Sequence, residues 1–281
     1  MPTIKRKGTS AAARTDPHVL YEAAVQAVDA DIAFMRRVFR RLRGRAPLSV
    51  REDFCGTAQL AATWAAARPA NVAWGVDLDA ATLEWAQHRR LDHLRSVARR
   101  VHLVRGDVCT VRVPPVDIVA AFNFSYFVFK ERQQLLRYFR HVRRGLKPDG
   151  ILVFDLFGGT SSYRALDEKR KIRGGRAPDG SRVPSFVYHW EHARFDAITH
   201  SILCHIHFRF ADGSQQRKAF TYDWRVWTLP ELRDLLREAG FRETRVYSHG
   251  FDPAGESDGV YRERPALENT EGWLAYVVGV K

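Results

Sequence analysis

The chain has 281 residues, 45% of them hydrophobic, with 45 lysines and arginines against 32 acids and a formal charge of +13. That length supports one large core or a core with a cap. No apolar run approaches the ~18 residues that cross a bilayer, and the charged first residues lack the apolar centre of a secretory signal. Three widely spaced cysteines, Cys55, Cys109 and Cys204, argue against a disulfide framework or a structural zinc site. A cytoplasmic chain with no membrane partner is expected.

Most of the positive excess is arginine, and its densest runs, Arg36 to Arg45 and Arg137 to Arg144, recur at helical spacing as solvated faces do. A nucleic acid partner is compatible with this charge but not favoured by its scatter. Monomer and homodimer both remain open.

In chain order, residues 1–15 read as a disordered basic tail. Residues 16–45 read as a helical lid: Asp16 and Pro17 start it, two apolar stripes follow, and Gly44 stops it after Arg40, Arg41 and Arg43. Strands are expected at 48–53, 72–76, 101–104, 116–122 and 151–157, with helices at 58–67, 80–100 and 131–146 between them. These alternate within 46–160 as a cofactor-binding core. Residues 160–185 read as a mobile surface segment. The period then changes to two through Phe186, Tyr188, Trp190, Ile198, Ile202, Ile206, Phe208 and Phe210, with a hairpin signal at Asp212-Gly213, so 161–225 is expected to be a mobile loop and an antiparallel cap. Thr228, Pro230 and Glu231 open a helix ending at Gly240. Residues 226–281 complete the core with that helix and an antiparallel pair at 244–247 and 273–280. The fold class is α/β: a mostly parallel Rossmann-like sheet with an antiparallel last strand, helices on both faces, and a small antiparallel β insert.

Ligands of such sheets bind at the carboxyl ends of the strands. Glu52, Asp77, Asp107 and Asn123 all sit at predicted carboxyl ends, in order, which core packing does not explain. Asp77 is placed to accept from a ribose diol and Asp107 from an adenine amino group. The Cys55-Gly56-Thr57 turn brings backbone N–H groups close to a ligand at a helix start. A dinucleotide needs G-x-G-x-x-G, and Phe54 and Ala58 flank a single Gly56. The acids Glu52 and Asp53 would repel a diphosphate and favour a cationic sulfonium. Tyr21 is expected to reach the cofactor from the lid.

Over residues 48–157 and 225–280 the chain resembles the class I S-adenosylmethionine-dependent methyltransferases. Glu52-Asp53-Phe54-Cys55-Gly56-Thr57-Ala58 is similar to that family's first motif, Gly75-Val76-Asp77-Leu78-Asp79 to its second, Gly106-Asp107-Val108 to its third, and Leu146-Lys147-Pro148-Asp149-Gly150-Ile151-Leu152 to the turn before its fifth strand. Phe54 and Ala58 depart from it, standing where the family usually has glycines. The resemblance implies S-adenosyl-L-methionine as cofactor, S-adenosyl-L-homocysteine as product, and a cofactor site of Tyr21, Glu52, Asp53, Phe54, Cys55, Gly56, Thr57, Asp77, Leu78, Gly106, Asp107, Val108, Phe122 and Asn123.

The fourth-strand end reads Phe122-Asn123-Phe124-Ser125-Tyr126, without the paired prolines of amino-group methyltransferases acting on nucleobases or glutamine and without a Cys beside a proline. The insert is similar to the caps of small-molecule N- and O-methyltransferases, so a small-molecule acceptor is expected. The alternatives are RNA or protein through the basic surface, and, disfavoured by the strand-end acids, a non-enzymatic nucleotide-binding protein. Ser125, Tyr126, Phe127 and Trp190 are the expected acceptor contacts, and Tyr126 and His189 the expected catalytic groups. His205 and His207 share a strand face, but with no acid or Cys in the pattern no metal is expected.

Overall fold

The computed structural model describes residues 9–177, 179–250 and 257–281. Residues 1–8, the first part of the expected tail, lie outside them. Residues 11–14 are not a tail. Helix α1 (Ala11–Arg14) is one turn, and its free amides are taken up by the hairpin turn of the cap: Ala11 N donates to Asp212 Oδ2 at 2.8 Å and Ala12 N to Ser214 Oγ at 3.0 Å.

Helix α2 (Pro17–Val25) starts where the Asp16 side chain accepts from His18 N. A break at Gln26 and Ala27 separates it from α3 (Val28–Arg43), which ends on a left-handed Gly44 whose amide donates to Arg40 O. The core then alternates: β1 (Ser49–Asp53), α4 (Gln59–Ala66), β2 (Val72–Asp77), α5 (Ala80–Arg89), β3 (Val101–Arg105), β4 (Val116–Ala121), α6 (Arg132–Gly145) and β5 (Leu146–Gly158). The cap supplies β6 (Leu166–Ile172), the short pair β7 (Gly175–Arg176) and β8 (Arg182–Val183), β9 (Phe186–Phe195), β10 (Ser201–Phe210) and β11 (Gln215–Arg225). Helix α7 (Leu229–Glu238), β12 (Glu243–Ser248), β13 (Arg262–Glu263) and β14 (Trp273–Val280) close the chain. The Thr228 hydroxyl accepts from Glu231 N while the Glu231 carboxylate accepts from Thr228 N, a reciprocal cap for α7.

The main sheet has eight strands in the order β13-β12-β14-β5-β4-β1-β2-β3. Strands β3, β2, β1, β4 and β5 are parallel, and β14 joins β5 antiparallel. Strand order reverses on either side of β1, so a crevice opens at the carboxyl ends of β1 and β4. The fold class is the expected one. The cap is a second sheet, β11-β10-β9-β6, antiparallel throughout.

Three local expectations are corrected. The helix from 80 stops at Arg89, because the Arg90 side chain is drawn inward, donating to Thr57 O at 3.0 Å and pairing with Glu22. Only short 3-10 turns fill Leu91–His93 and Ala98–Arg100. The segment 160–185, read as mobile, holds β6 and the β7–β8 hairpin; its exposed charges belong to an edge strand, where they discourage further pairing. Ile198 is not a strand residue but the exposed tip of the β9–β10 turn, with its amide on Asp196 Oδ1.

Candidate active site

The loop between β1 and α4 holds three left-handed residues: Phe54 (φ 59°), Gly56 (φ 50°) and Ala58 (φ 53°). Left-handed backbone costs an L-residue with a side chain about 1–2 kcal/mol. Phe54 and Ala58 therefore keep a glycine's conformation without being glycines, and the departures seen in the sequence change the residue but not the path. The Phe54 ring packs on Phe129 and Tyr138, each 5.9 Å between centroids, and lines the cleft with its other surface. The turn is bolted to β2: Cys55 N donates to Val76 O at 2.9 Å and Gly56 N to Asp77 Oδ2 at 2.8 Å. Asp77 Oδ1 accepts from Asp79 N at 3.0 Å. One backbone amide on each oxygen leaves lone pairs free for a ligand diol.

A cleft of about 500 Å³ opens here, lined by Tyr21, Phe54, Cys55, Gly56, Thr57, Asp77, Leu78, Asp107, Val108, Asn123 and Ser125 among others. Two lining residues, Leu78 (66% exposed) and Val128 (49%), are apolar side chains left open to solvent, as walls for a planar ring would be. Two polar atoms of lining residues, Thr57 Oγ1 and Gln26 Oε1, are buried without a hydrogen-bond partner. An amino-acid tail would satisfy them. The cleft thus fits a ligand with a diol, a flat ring and a zwitterionic end.

Several expected residues are elsewhere. Glu52 lies beneath the loop, accepting from Ala61 N at 2.9 Å in the first turn of α4. Burial, above all, pushes its pKa up to about 8. Asp53 points to the other side of the sheet, into a buried pair with Arg51 (2.8 Å) and a hydrogen bond from Tyr138 (2.9 Å). Neighbouring side chains of a strand face opposite sides, so these two acids cannot share the cleft. Gly106 serves the fold by donating to Asp77 O at 2.9 Å, and Phe122 packs edge-on against Tyr276. Phe127 is fully buried in the core. Tyr126 is too, its hydroxyl donating to Asp155 O at 3.0 Å, and burial raises its pKa far above the ordinary range. It is no acid–base group. His189 faces away from both cavities, bonded to Asp167 Oδ1 at 2.7 Å and stacked on His207.

A second cavity, about 400 Å³, lies between the cap and the ends of β5 and β14. Trp190 and His192, one period apart on β9, face it. It holds Asp31 from α3 and Asp155 from β5, with Tyr276 donating to Asp31. Asp155 accepts from Asn123 N (2.8 Å) and Phe124 N (2.9 Å), both left-handed, so it fixes the turn after β4. Burial raises Asp31 to about 6 and Asp155 to about 8. Burial also lowers His192, which keeps its imidazole neutral. Tyr21, Asn123, Tyr222 and Trp224 line both cavities.

Residues 55–152 match the family model described as a methyltransferase domain. The match spans 98 of the 281 residues and makes this stretch a methyltransferase domain. No curated protein matches the methyltransferase in sequence. Among solved structures it is similar to an S-adenosylmethionine-dependent methyltransferase from Clostridium acetobutylicum, with 16% identity, 92% of this chain and 96% of that one covered, and a TM-score of 0.62. It is also similar to CalS10, an amino pentose methyltransferase from Micromonospora echinaspora (15% identity; 92% and 95% covered; TM-score 0.63). A third is KedS8, a sugar N-methyltransferase from Streptoalloteichus (18% identity; 100% and 98%; TM-score 0.61). At such identities the likeness is one of fold.

Sequence reasoning named His192 among the histidines of the insert and missed Asp31, Gln26, Asp155, Tyr222 and Trp224. Asp155 had a readable signal: it is the one acid in the apolar run 151–157. Asp31 stands on the apolar side of α3. Gln26 had none, since only the break between two helices turns it toward the cleft.

Proposed function

We propose that this methyltransferase transfers a methyl group to nitrogen or oxygen of a small-molecule acceptor held in the cavity under the cap, with S-adenosylmethionine in the cleft at the strand ends. The observation that carries the reading is the junction: Tyr21, Asn123, Tyr222 and Trp224 line both spaces, so two ligands can meet there. The likeness to CalS10, an amino pentose methyltransferase, and KedS8, a sugar N-methyltransferase, supports an acceptor of that size.

The bound cofactor supplies a methyl group on a positively charged sulfur. In this reading Asp77 holds the ribose diol, Leu78 and Val128 cover the adenine, Asp107 and Val108 meet its edge, and Thr57 and Gln26 receive the amino-acid end. Asp107 accepts from Cys109 N at 2.8 Å through Oδ1 and lies at the cleft. Transfer is an in-line displacement, so the chain's task is to align two ligands and exclude water. The aromatic walls from β9, β11 and β14 do so on the acceptor side. Calorimetric titration with S-adenosylhomocysteine tests the donor half. Wild type binds, and Asp77→Ala weakens binding at least tenfold by removing both the diol acceptor and the Gly56 anchor. Equal affinity in the variant sinks the assignment.

A further inference from the structure

We propose that the acceptor is a small molecule bearing a basic amine, docked as its ammonium over Asp31 and Asp155 and methylated at that nitrogen. This rests on the reading of the under-cap cavity as the acceptor site and narrows nitrogen-or-oxygen to nitrogen.

The argument begins with charge. In a chain of formal charge +13, the described residues line this cavity with three carboxylates, Asp31, Asp155 and Glu168, and a single guanidinium, Arg170. Arg170 is already engaged, donating to Ala24 O at 3.0 Å and lying over the Tyr188 ring at 4.9 Å. The cavity therefore attracts a cation and rejects an anion. Its wall suits one as well, because Tyr261 and Tyr276 form a paired aromatic surface, centroids 4.4 Å apart, beside Asp31. A further observation points independently to a ligand. His192 is only 5% exposed, lines the cavity, and has a buried Nδ1 with no hydrogen-bond partner. Such a nitrogen on a neutral imidazole is an acceptor for an ammonium or amine N–H.

The same groups account for the proton. An amine attacks only after it loses a proton. The docked ammonium passes one proton to the Asp155 carboxylate, next to the Asn123 turn that borders the donor cleft. The freed lone pair then forms the new N–C bond as the S–C bond breaks. Sulfur keeps that electron pair, leaving S-adenosylhomocysteine and a protonated methylamine. Burial holds both carboxyls at raised pKa, so taking a proton suits them. The titratable groups acting on the pair are Tyr276 and Tyr261, Tyr21 on α2, Tyr126 after β4 and Glu52 on β1, and the cavity adds Glu168, His192 and the engaged Arg170.

The test uses the full chain saturated with S-adenosylhomocysteine and three probes that share one ring: benzylammonium, benzyl alcohol and benzoate. Calorimetry at pH 8 is expected to show benzylammonium binding at least tenfold tighter than the other two, and more tightly at pH 8 than at pH 6. In Asp31→Asn, whose amide oxygen still accepts from Tyr276, that preference falls at least fivefold while S-adenosylhomocysteine affinity stays within twofold. Equal or tighter binding of benzoate, an unchanged preference in the variant, or no binding of any probe overturns the inference. The wild-type comparison needs no variant to fold. Failure of S-adenosylhomocysteine itself to bind would instead remove the donor reading, so the two failures are distinct.

Discussion

Glu52 sits beneath the Phe54–Ala58 loop with one backbone amide, that of Ala61, on its carboxylate, and burial carries its pKa to about 8. Unfolded, the same group releases its proton near pH 4.5. Between these values the native state binds more protons than the unfolded state, so its contribution is fully present below pH 4.5 and lost as pH rises through 8. Asp31 and Asp155, raised to about 6 and 8, act with the same sign. Thermal stability should therefore decline from pH 5 to pH 9. Glu52→Gln keeps an acceptor for Ala61 N and removes the titration, so it should melt above wild type at pH 9, by roughly 2–4 °C per kcal/mol gained. A variant melting at or below wild type at pH 9 counts against a protonated native Glu52. At this scale the legible residues were those that terminate strands. Asp77, Asp107 and Gly56 stand where an apolar run ends and line the cleft. Asp53 misled because adjacency in sequence hides the alternation that sends it to Arg51. His189 misled similarly, since His192, not His189, shares the Trp190 side of β9.

At the scale of elements, strands and helices of the core were readable because each apolar run is bounded by Gly, Pro or acids. The edge strand β6 was not: Leu166–Ile172 carries charge at five of its seven positions and pairs only because β9 offers it a ladder. The end opposite the cleft is held by a residue that no motif marks. Asp117, fully buried at the start of β4, accepts from Leu48 N, Ser49 N and Ser49 Oγ of β1, from Arg45 and from Lys147. These donors hold its pKa down to about 2 despite burial. Asp117→Ala strands two backbone amides, while Arg45 keeps its bonds to Asp149, a loss of about 1–3 kcal/mol for each buried donor. Urea unfolding measures it, and a loss below about 1 kcal/mol would refute the account. Since Asp117 lies at the amino ends of the strands, molecules that remain folded should keep their S-adenosylhomocysteine affinity.

The whole molecule depends on α2, which belongs to two units at once. Its Val19, Leu20 and Ala24 pack with Phe186, Ile206 and Phe208 of the cap, while His18, Tyr21 and the following Gln26 line the strand-end cleft. Two polar ties fix it to α5 and the residue after it: Trp85 Nε1 donates to Asp16 Oδ2 at 2.6 Å, and Arg90 pairs with Glu22. A ligand in the cleft is thus gripped by the core below and by α2 above, and its binding energy reaches the cap through that helix. Saturating S-adenosylhomocysteine at 100 times its Kd adds about 2.7 kcal/mol, which corresponds to a rise in Tm of roughly 5–10 °C. Deleting residues 1–27 removes the upper wall and uncovers the apolar face of the cap, while the eight-stranded sheet retains its strands. In that variant the ligand-induced rise should fall below about 2 °C at the same concentration. Tyr21→Ala with Gln26→Ala, which leaves the cap packing of α2 in place, should lose about half of it. If the deletion keeps the full shift, α2 does not cover the cofactor; if only the double substitution keeps it, α2 acts through its packing and not through these two side chains.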